Sequence, residues 1–297
     1  MKKVLIIEGG GAFGIIPAYF MSQLSGMPLT DIDCVSGCSI GGALAVAYAS
    51  GFPSDEIFDT FYERMPECFQ KRFSACVNPF ACPTYSNKGL DSVLGDIVGD
   101  LCIGDIRHSY PKLDIFIPTL DLTNNKYKVF DNITGDDDGI PLADVAGYTT
   151  CAPSYYSGRD FFGKCMVDGG LIEVLPLLTT VTGLKHKRGV EFSDMDVLVL
   201  GCGERTDEKT FTTKQYNSLS LLGLCTDVIV PYVTLSNAIA SKYWGEHMGL
   251  HSFTYYNPVK ISGGMDDVAA MRTALENAKE FRENFVNTWA QFLGERL

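Results

Sequence analysis

Two short apolar runs near the start of the chain are each followed at once by a glycine-rich turn. Residues 4–7 (VLII) precede the turn GGGAFG at 9–14, and residues 32–35 precede the turn GCSIG at 37–41. Short apolar runs that stop at glycines are typical of strands buried on both faces. The segments after both turns are rich in apolar residues and predict helices. This repeated unit predicts a parallel sheet covered by helices, with ligands bound where the turns leave the strands.

Three further apolar runs predict the rest of the sheet. They lie at 114–119, 126–130 and 196–200, and we expect the sheet to end near the last of them. Apolar residues recur at spacings of three and four from 265 to 293, which predicts one long helix packed on the core. The predicted fold class is α/β: a central, mostly parallel sheet flanked by helices on both faces, with a helical C-terminal segment.

Charge and composition narrow the class of protein. The chain has 24 Lys and Arg residues against 36 Asp and Glu residues, a net charge of −12, and 46% of its residues are apolar. Binding to nucleic acid without regard to sequence relies on a cationic surface, so no nucleic acid is expected as a partner. The apolar content excludes a disordered chain, and 297 residues are enough for a large core.

The ten cysteines contain no CxxC pair, so zinc-ribbon and thioredoxin-like sites lack their motif. Cys34, Cys151, Cys165 and Cys202 stand in apolar runs, and we expect them to be buried, free thiols in a reducing compartment. The start of the chain superficially resembles a signal peptide, but Glu8 and three glycines interrupt it, which indicates a mature amino terminus.

No uninterrupted apolar run approaches the roughly 18 residues that a membrane-spanning helix needs. We therefore expect a cytoplasmic protein that is soluble or peripheral to membranes.

The first glycine turn allows more than one interpretation. Residues 9–14 satisfy GxGxxG after a strand, and Asp31 and Asp33 lie at about the right distance for a dinucleotide-binding site. In that fold the acidic residue ends the second strand, whereas both aspartates here precede the second turn. Glycine is also needed in tight strand-to-helix turns that bind nothing.

The second turn points to nucleophilic catalysis. Residues 37–41 have the GxSxG spacing between a predicted strand and a predicted helix, which is the context of a nucleophile elbow. Ser39 would project its hydroxyl from such an elbow, and Gly37 and Gly41 would permit close approach. The amino end of the following helix would stabilise an oxyanion.

A nucleophilic serine needs a base. The four histidines, His108, His186, His247 and His251, stand in no diagnostic setting. His247 and His251 are four apart but lack the HExxH pattern, so no metal site is expected, and His186 lies in a basic stretch that predicts a solvated loop. Asp168 is the better candidate, because an apolar run delivers it into the turn of Gly169 and Gly170. The alternative is an ordinary turn aspartate.

The three glycine-turn motifs in the order GGGAFG, GCSIG and DGG resemble the patatin-like lipid acyl hydrolases. The resemblance also includes NKGL at 87–90, CAPSYY at 151–156 and LVLGCG at 198–203, and it covers residues 1 to about 203. It implies a three-layer α/β/α fold and hydrolysis of acyl esters of phospholipids or neutral lipids through an acyl-serine intermediate, without cofactor or metal.

By this resemblance Ser39 would be the nucleophile and Asp168 its sole partner in a Ser-Asp dyad. The implied oxyanion hole is Gly9, Gly10, Gly11 and Gly14. The implied supports of the elbow and turn are Gly37, Gly41, Gly169 and Gly170. Two positions depart from the family pattern: Phe13 replaces a basic residue that could face a phosphate, and residues 171–176 lack the usual Asn-Asn-Pro.

We expect one patatin-like domain over residues 1–297, with the motifs in 1–203 and a helical portion at 204–297. Its partner would be a lipid or fatty-acyl ester substrate, with peripheral membrane contact and oligomeric state left open. The alternatives are an α/β-hydrolase with a triad of Ser39, Asp168 and a late histidine, a non-catalytic acyl-binding module, and a dinucleotide-binding protein.

Overall fold

The computed structural model describes residues 1–24, 31–73, 83–206 and 230–294. The strands are β1 (Lys2–Ile7), β2 (Cys34–Gly37), β3 (Asp114–Asp121), β4 (Lys126–Asp131), β5 (Arg159–Phe161), β6 (Lys164–Asp168), β7 (Met195–Leu200), β8 (Glu204–Arg205), β9 (Ser252–Tyr256) and β10 (Lys260–Ile261). The α-helices are α1 (Ile15–Ser22), α2 (Ile40–Ala49), α3 (Ser54–Cys68), α4 (Asn87–Val98), α5 (Ile103–Ser109), α6 (Leu142–Thr150), α7 (Gly170–Glu173), α8 (Leu177–Arg188), α9 (Val230–His247), α10 (Val268–Lys279) and α11 (Arg282–Leu293).

Eight strands form one mixed sheet in the order β5-β6-β3-β2-β1-β7-β9, and β4 pairs with β3 beside this path. β1, β2, β3, β7 and β9 run parallel, whereas β4 and β6 run antiparallel to β3. The carboxyl ends of the five parallel strands therefore meet at one edge of the sheet, the carboxyl edge. Their starts define the opposite, amino edge.

Both faces of the central strands are buried, as their continuous apolar sequences predict. In β1, Leu5 and Ile7 belong to one core cluster and Val4 and Ile6 to another, and all four are fully buried. Helices pack against the strands in both clusters, so the predicted sheet flanked by helices on both faces is confirmed. Among the described residues, no helix is long and apolar enough to cross a bilayer.

Three expectations about the fold are wrong. The sheet does not end at β7, because β9 pairs with it along its length. Two of the five residues of β9 are exposed, and its sequence shows no continuous apolar run. The predicted single helix at 265–293 is two helices, α10 and α11, which are separated at Glu280 and Phe281 while the apolar spacing continues across the break. Cys165 is exposed, whereas Cys34, Cys151 and Cys202 are buried as expected.

α2 begins so close to the end of β1 that no side chain fits between them. A Cβ on Gly41 would lie 2.2 Å from the Ile7 carbonyl oxygen, and a Cβ on Gly37 would lie 2.1 Å from the Gly41 carbonyl oxygen. Both clashes involve backbone atoms, which cannot swing away as a side chain can. The glycines of the second turn are therefore required by this close packing.

We predict that Gly41→Ala destabilises the fold by about 2–4 kcal/mol, because it forces the backbones of α2 and β1 apart. Gly95→Ala is the matched control, since Gly95 lies inside α4 with open space around its Cα, and it should stabilise by about 0.5–1 kcal/mol. Urea unfolding followed by circular dichroism measures both. Equal effects of the two substitutions would contradict the steric argument.

Candidate active site

Ser39 occupies the sharp turn between β2 and α2. Its backbone has φ 55° and ψ −129°, in the region of positive φ that residues other than glycine rarely adopt. Ser39 is half-buried and lies at the amino end of α2, where unpaired N–H groups carry partial positive charge. The structure thus shows the strand–turn–helix context that the GxSxG spacing predicts.

Asp168 ends β6 and lies beside Ser39, although the two are far apart in sequence. The pairing of β6 with β3 sets Asp168 opposite Thr119, just beyond the level at which β2 ends. The Ser39 side chain lies close enough to the Asp168 carboxylate to favour its charged form. Asp168 is only 4% exposed, so this contact is shielded from water. The fold unites the two residues that the motifs single out.

Burial is the main influence on the Asp168 carboxylate. Removal from water raises its pKa from the ordinary value of 3.8 to about 6, because the charged form loses hydration. The nearby Ser39 side chain and the hydrogen bonds from the Gly170 N–H at 2.8 Å and the Cys38 thiol at 3.6 Å favour the charged form and oppose this rise. A carboxylate with a pKa near 6 is suited to accept a proton at neutral pH.

The Cys38 thiol is a contact that the sequence motifs do not indicate. Burial raises the pKa of this thiol well above its ordinary value, so the thiol stays protonated. Its S–H group donates a hydrogen bond to Asp168 Oδ1. The Gly170 N–H donates to the same oxygen. Both bonds orient the carboxylate.

Thr149, near the end of α6, is a second contact that sequence reasoning missed. Its hydroxyl accepts the Ser39 N–H at 3.0 Å and donates to the Pro118 carbonyl oxygen at 2.8 Å. A Cβ on Gly169 would lie 2.6 Å from the same carbonyl oxygen. One fully buried hydroxyl therefore connects the elbow to the strand that pairs with Asp168. Its sequence surroundings carry no signal of this role.

The glycine-rich loop after β1 lies against the elbow. A Cβ on Gly9 would lie 3.1 Å from the Ser39 Cβ, and a Cβ on Gly14 would lie 2.4 Å from Ile40 Cγ1. The Gly9 N–H donates to the Val174 carbonyl oxygen at 3.0 Å, so this amide is already occupied. Gly9 and Gly14 therefore serve the close packing of the loop, and the expectation that the Gly9 amide faces an oxyanion is wrong.

Gly10 and Gly11 are better placed as donors. Within the described part of the chain, their amides form no hydrogen bond to the protein. A Cβ on Gly10 would lie 2.4 Å from the Cys202 Cβ, and Gly11 has a positive φ of 60°. The Met265 carbonyl oxygen accepts the next amide, that of Ala12, at 2.7 Å and so fixes the course of the loop.

A buried network supports the start of this loop from the other side. Glu8 Oε2 accepts the Tyr255 hydroxyl at 2.9 Å and the Cys202 N–H at 3.2 Å. Asn257 donates to the Tyr255 oxygen at 3.0 Å and accepts the Gly203 N–H at 2.7 Å. Burial raises the pKa of Glu8 to about 7. The sequence analysis used Glu8 only as a break in an apolar run.

Phe13 is 1% exposed and belongs to the core. The position at which relatives often carry a basic residue therefore offers no charge to a phosphate here. Glu173, in the segment that lacks Asn-Asn-Pro, instead caps α8 by accepting the Leu178 N–H at 2.7 Å.

The histidines lie at the wrong edge of the sheet for a triad with Ser39. His108, His186 and His247 stand at the ends of α5, α8 and α9, each of which leads to the start of a parallel strand. His251 directly precedes β9 and lies 3.9 Å from Asp196, near the start of β7. The expectation that His186 lies in a loop is wrong, since it belongs to the last turn of α8.

Two other predictions concern ligands. Asp33 lies before β2 at the amino edge, where it binds the Lys2 ammonium at 2.8 Å and the Lys3 N–H at 2.8 Å. It cannot reach a ribose at the carboxyl edge, so the dinucleotide-binding alternative loses its acidic residue.

Among the described residues, no three His, Cys, Asp or Glu side chains lie close enough together to hold a metal ion.

A mixed sheet with a strained serine and a buried aspartate at its carboxyl edge defines a class of α/β proteins with a serine elbow. The family model described as Patatin-like phospholipase matches residues 5–181, which is more than half of the chain. The chain belongs to the patatin-like phospholipase family, and the family predicted from the glycine-turn motifs is confirmed.

Two relatives with curated descriptions are about a quarter identical to this chain over the aligned residues. A cGAMP-activated phospholipase of Escherichia coli is 26% identical over 67% of this chain and 61% of its own length. Patatin-like protein 2 of Arabidopsis thaliana is 24% identical over 92% of this chain and 79% of its own length. The chain therefore spans about three fifths of the bacterial relative. Among solved structures, VipD from Legionella pneumophila has a TM-score of 0.49 at 12% identity, covering 97% of this chain and 67% of that chain.

We predict that Thr149→Val lowers stability by about 1–3 kcal/mol, because the buried Ser39 N–H and Pro118 carbonyl oxygen both lose their partner. The substitution keeps the shape of the side chain, so packing is little changed. Thr150→Val is the control, since the Thr150 hydroxyl bonds only carbonyl oxygens of its own helix. Thermal unfolding of both variants measures the difference, and a loss confined to Thr150→Val would contradict the role of Thr149.

Proposed function

We propose that this chain is a serine lipid acyl hydrolase in which Ser39 is the nucleophile and Asp168 its base. The observation that carries the proposal is that Ser39, on a strained elbow, lies beside a buried carboxylate, Asp168, whose pKa burial raises to about 6. Family membership supports the reaction class, because the family is described as phospholipases.

The geometry supports a two-step reaction. Asp168 takes the proton of the Ser39 hydroxyl as its oxygen attacks the ester carbonyl carbon and forms a tetrahedral oxyanion. The amides of Gly10 and Gly11 and the amino end of α2 stabilise that oxyanion. Asp168 then returns the proton to the leaving alkoxide, and the acyl group stays on Ser39. Water then attacks the acyl carbon while Asp168 accepts a proton from it. The bond to Ser39 breaks, the fatty acid leaves, and Asp168 returns the proton to the Ser39 oxygen.

The substrate class follows from the family and from this chain's own loop. We propose fatty-acyl esters of phospholipids, which the family description supports, or of neutral lipids, which carry the same reacting ester group. The buried Phe13 places no charge in the glycine-rich loop, so recognition of a headgroup phosphate depends on residues outside that loop. We further propose that residues 1–297 act as one domain, because β9 joins the sheet that carries the motifs. We also propose a location in the cytoplasm, which the free, mostly buried cysteines of the described residues support.

The proposal predicts that a fluorophosphonate probe adds one adduct to the wild-type protein, measured by intact mass, because the probe needs only an activated serine. Ser39→Ala removes the attacked oxygen and should abolish the adduct, and Asp168→Asn should slow its formation by about 100-fold or more. Ser36→Ala is the matched control: Ser36 is fully buried on β2 and bonds the Phe116 carbonyl oxygen at 2.7 Å. The Ser36→Ala protein should still form the adduct.

A folded wild-type protein without an adduct would contradict the proposal and favour the non-catalytic acyl-binding module. An adduct that survives in Ser39→Ala would assign the nucleophile elsewhere.

The rate should also depend on pH through Asp168. The base must be ionised, so kcat/KM for p-nitrophenyl butyrate should fall about tenfold per pH unit below a midpoint near 6. Cys38→Ala removes one hydrogen bond that favours the ionised form, so its midpoint should move to higher pH. Cys38→Ser retains a donor and should move it less, and Cys34→Ala controls for the loss of a buried thiol that does not touch Asp168. An unmoved midpoint in Cys38→Ala would contradict the role of the thiol.

A further inference from the structure

A ribbon of antiparallel strands projects beyond the carboxyl edge. β3 continues past Thr119, the residue opposite Asp168, and its extension pairs with β4 and β6, while β6 pairs with β5. A strand rises about 3.3 Å per residue, so the turn at 162–163 lies roughly 17 Å beyond Asp168 along the ribbon. The ribbon therefore projects on the same side of the sheet as Ser39.

Apolar side chains stand at both turns of this ribbon. Phe162, in the turn between β5 and β6, is 82% exposed, and Leu122, in the turn after β3, is 49% exposed. The two turns are neighbours, because the Leu122 N–H donates to the Cys165 carbonyl oxygen at 2.9 Å. Ile172, just after the dyad aspartate, is 41% exposed and extends the apolar surface toward the site.

The backbone conformation at Phe162 does not favour an aromatic residue at this position of the turn. Phe162 and Gly163 both have positive φ, 49° and 79°. Two-residue hairpin turns of this kind favour Asn-Gly, and a bulky residue in the first position is strained by about 1 kcal/mol. The chain thus keeps an exposed aromatic ring at a place where a smaller polar residue would be more stable.

Two exposed lysines and one exposed aspartate stand around the turns. Lys126 and Lys164 are both exposed, and neither forms an ion pair with a described residue. The Asp121 carboxylate is 5% exposed and bonds Asn124. Asp160 is exposed and accepts the Gly163 N–H at 3.4 Å. Lys164 also lies 5.7 Å from the centre of the Phe161 ring, and its charge adds to the hydrogen bonds from Asn124 that lower the pKa of Asp121. In a chain of net charge −12, two exposed lysines flanking apolar turns complement phosphate headgroups.

We propose that the turns at 122–125 and 162–163 dock on the surface of a phospholipid bilayer, with Phe162 and Leu122 entering the headgroup region and Lys126 and Lys164 contacting phosphates. This inference rests on the proposed function, because a lipid hydrolase must meet a substrate that is held in a membrane. It assigns recognition of the lipid surface to the ribbon, and leaves the chemistry to the dyad.

The test is co-sedimentation of the full chain with vesicles of phosphatidylcholine and phosphatidylglycerol. Phe162→Asn and Leu122→Asn should each weaken partitioning by about tenfold, because each withdraws a large apolar side chain. Phe162→Asn should keep or raise the melting temperature, since asparagine suits a positive φ. Leu101→Asn is the matched control, because Leu101 is also an exposed leucine, at 38%, but lies away from the ribbon. Its carbonyl oxygen accepts the N–H of Leu142, the first residue of α6, whereas Thr149 lies at the other end of that helix.

Lys126→Gln with Lys164→Gln should weaken binding to these vesicles and change binding to pure phosphatidylcholine vesicles much less. The ratio of turnover on vesicles to turnover on p-nitrophenyl butyrate, measured for each variant, should fall in the Phe162 and Leu122 variants and stay constant in Leu101→Asn.

Partitioning that is unchanged in the Phe162 and Leu122 variants would overturn the inference, and so would a change of oligomeric state in Phe162→Asn without loss of vesicle binding, since the turns would then contact a second copy of the chain. A wild type that hydrolyses the soluble ester but ignores vesicles overturns the docking inference alone. A wild type that binds vesicles through these turns but forms no Ser39 adduct overturns the proposed function and leaves the docking inference standing.

Discussion

The positive φ of Ser39 is the constraint on which the carboxyl edge of the sheet depends. A non-glycine residue in this conformation costs about 1–3 kcal/mol and persists only where its surroundings leave it no alternative. Gly37 and Gly41 allow α2 to approach β1 within backbone contact, and Thr149 holds the Ser39 N–H. These contacts direct the hydroxyl at Asp168 rather than into solvent.

Carboxylates at the two edges of the sheet differ in whether a cationic side chain pairs with them. At the amino edge they pair with cations, in Lys2–Asp33, Lys3–Asp196 and Arg188–Asp114. At the carboxyl edge Glu8 and Asp168 are buried without a described cationic partner, and burial raises their pKa values to about 7 and about 6. The folded state then binds more protons than the unfolded state, so these two groups lower stability as pH rises from 3.8 to about 7. The ionised Asp168 that chemistry needs is therefore the form that burial disfavours.

Much of this architecture could be predicted from short-range patterns. Residues 4–7 and 196–200 are strands because continuous apolar runs between glycines suit a sheet covered on both faces. β9 was not predicted because exposed and partly buried residues alternate along most of it, and the break at Phe281 was not predicted because apolar spacing continues through it. Cys165 was misjudged because the apolar residues around it lie in a ribbon that leaves the core.

The sequence by itself determined the glycine-turn motifs, the fold class, and the two residues, Ser39 and Asp168, that the motifs single out. These features are local, since a turn geometry or a buried strand is encoded within a few neighbouring residues. Only the tertiary structure decided that Cys38 contacts Asp168 and Thr149 contacts Ser39, that the Gly9 amide is occupied, and that every histidine lies at the opposite edge. Those facts depend on strand register and on contacts between residues distant in the chain, which no short pattern records.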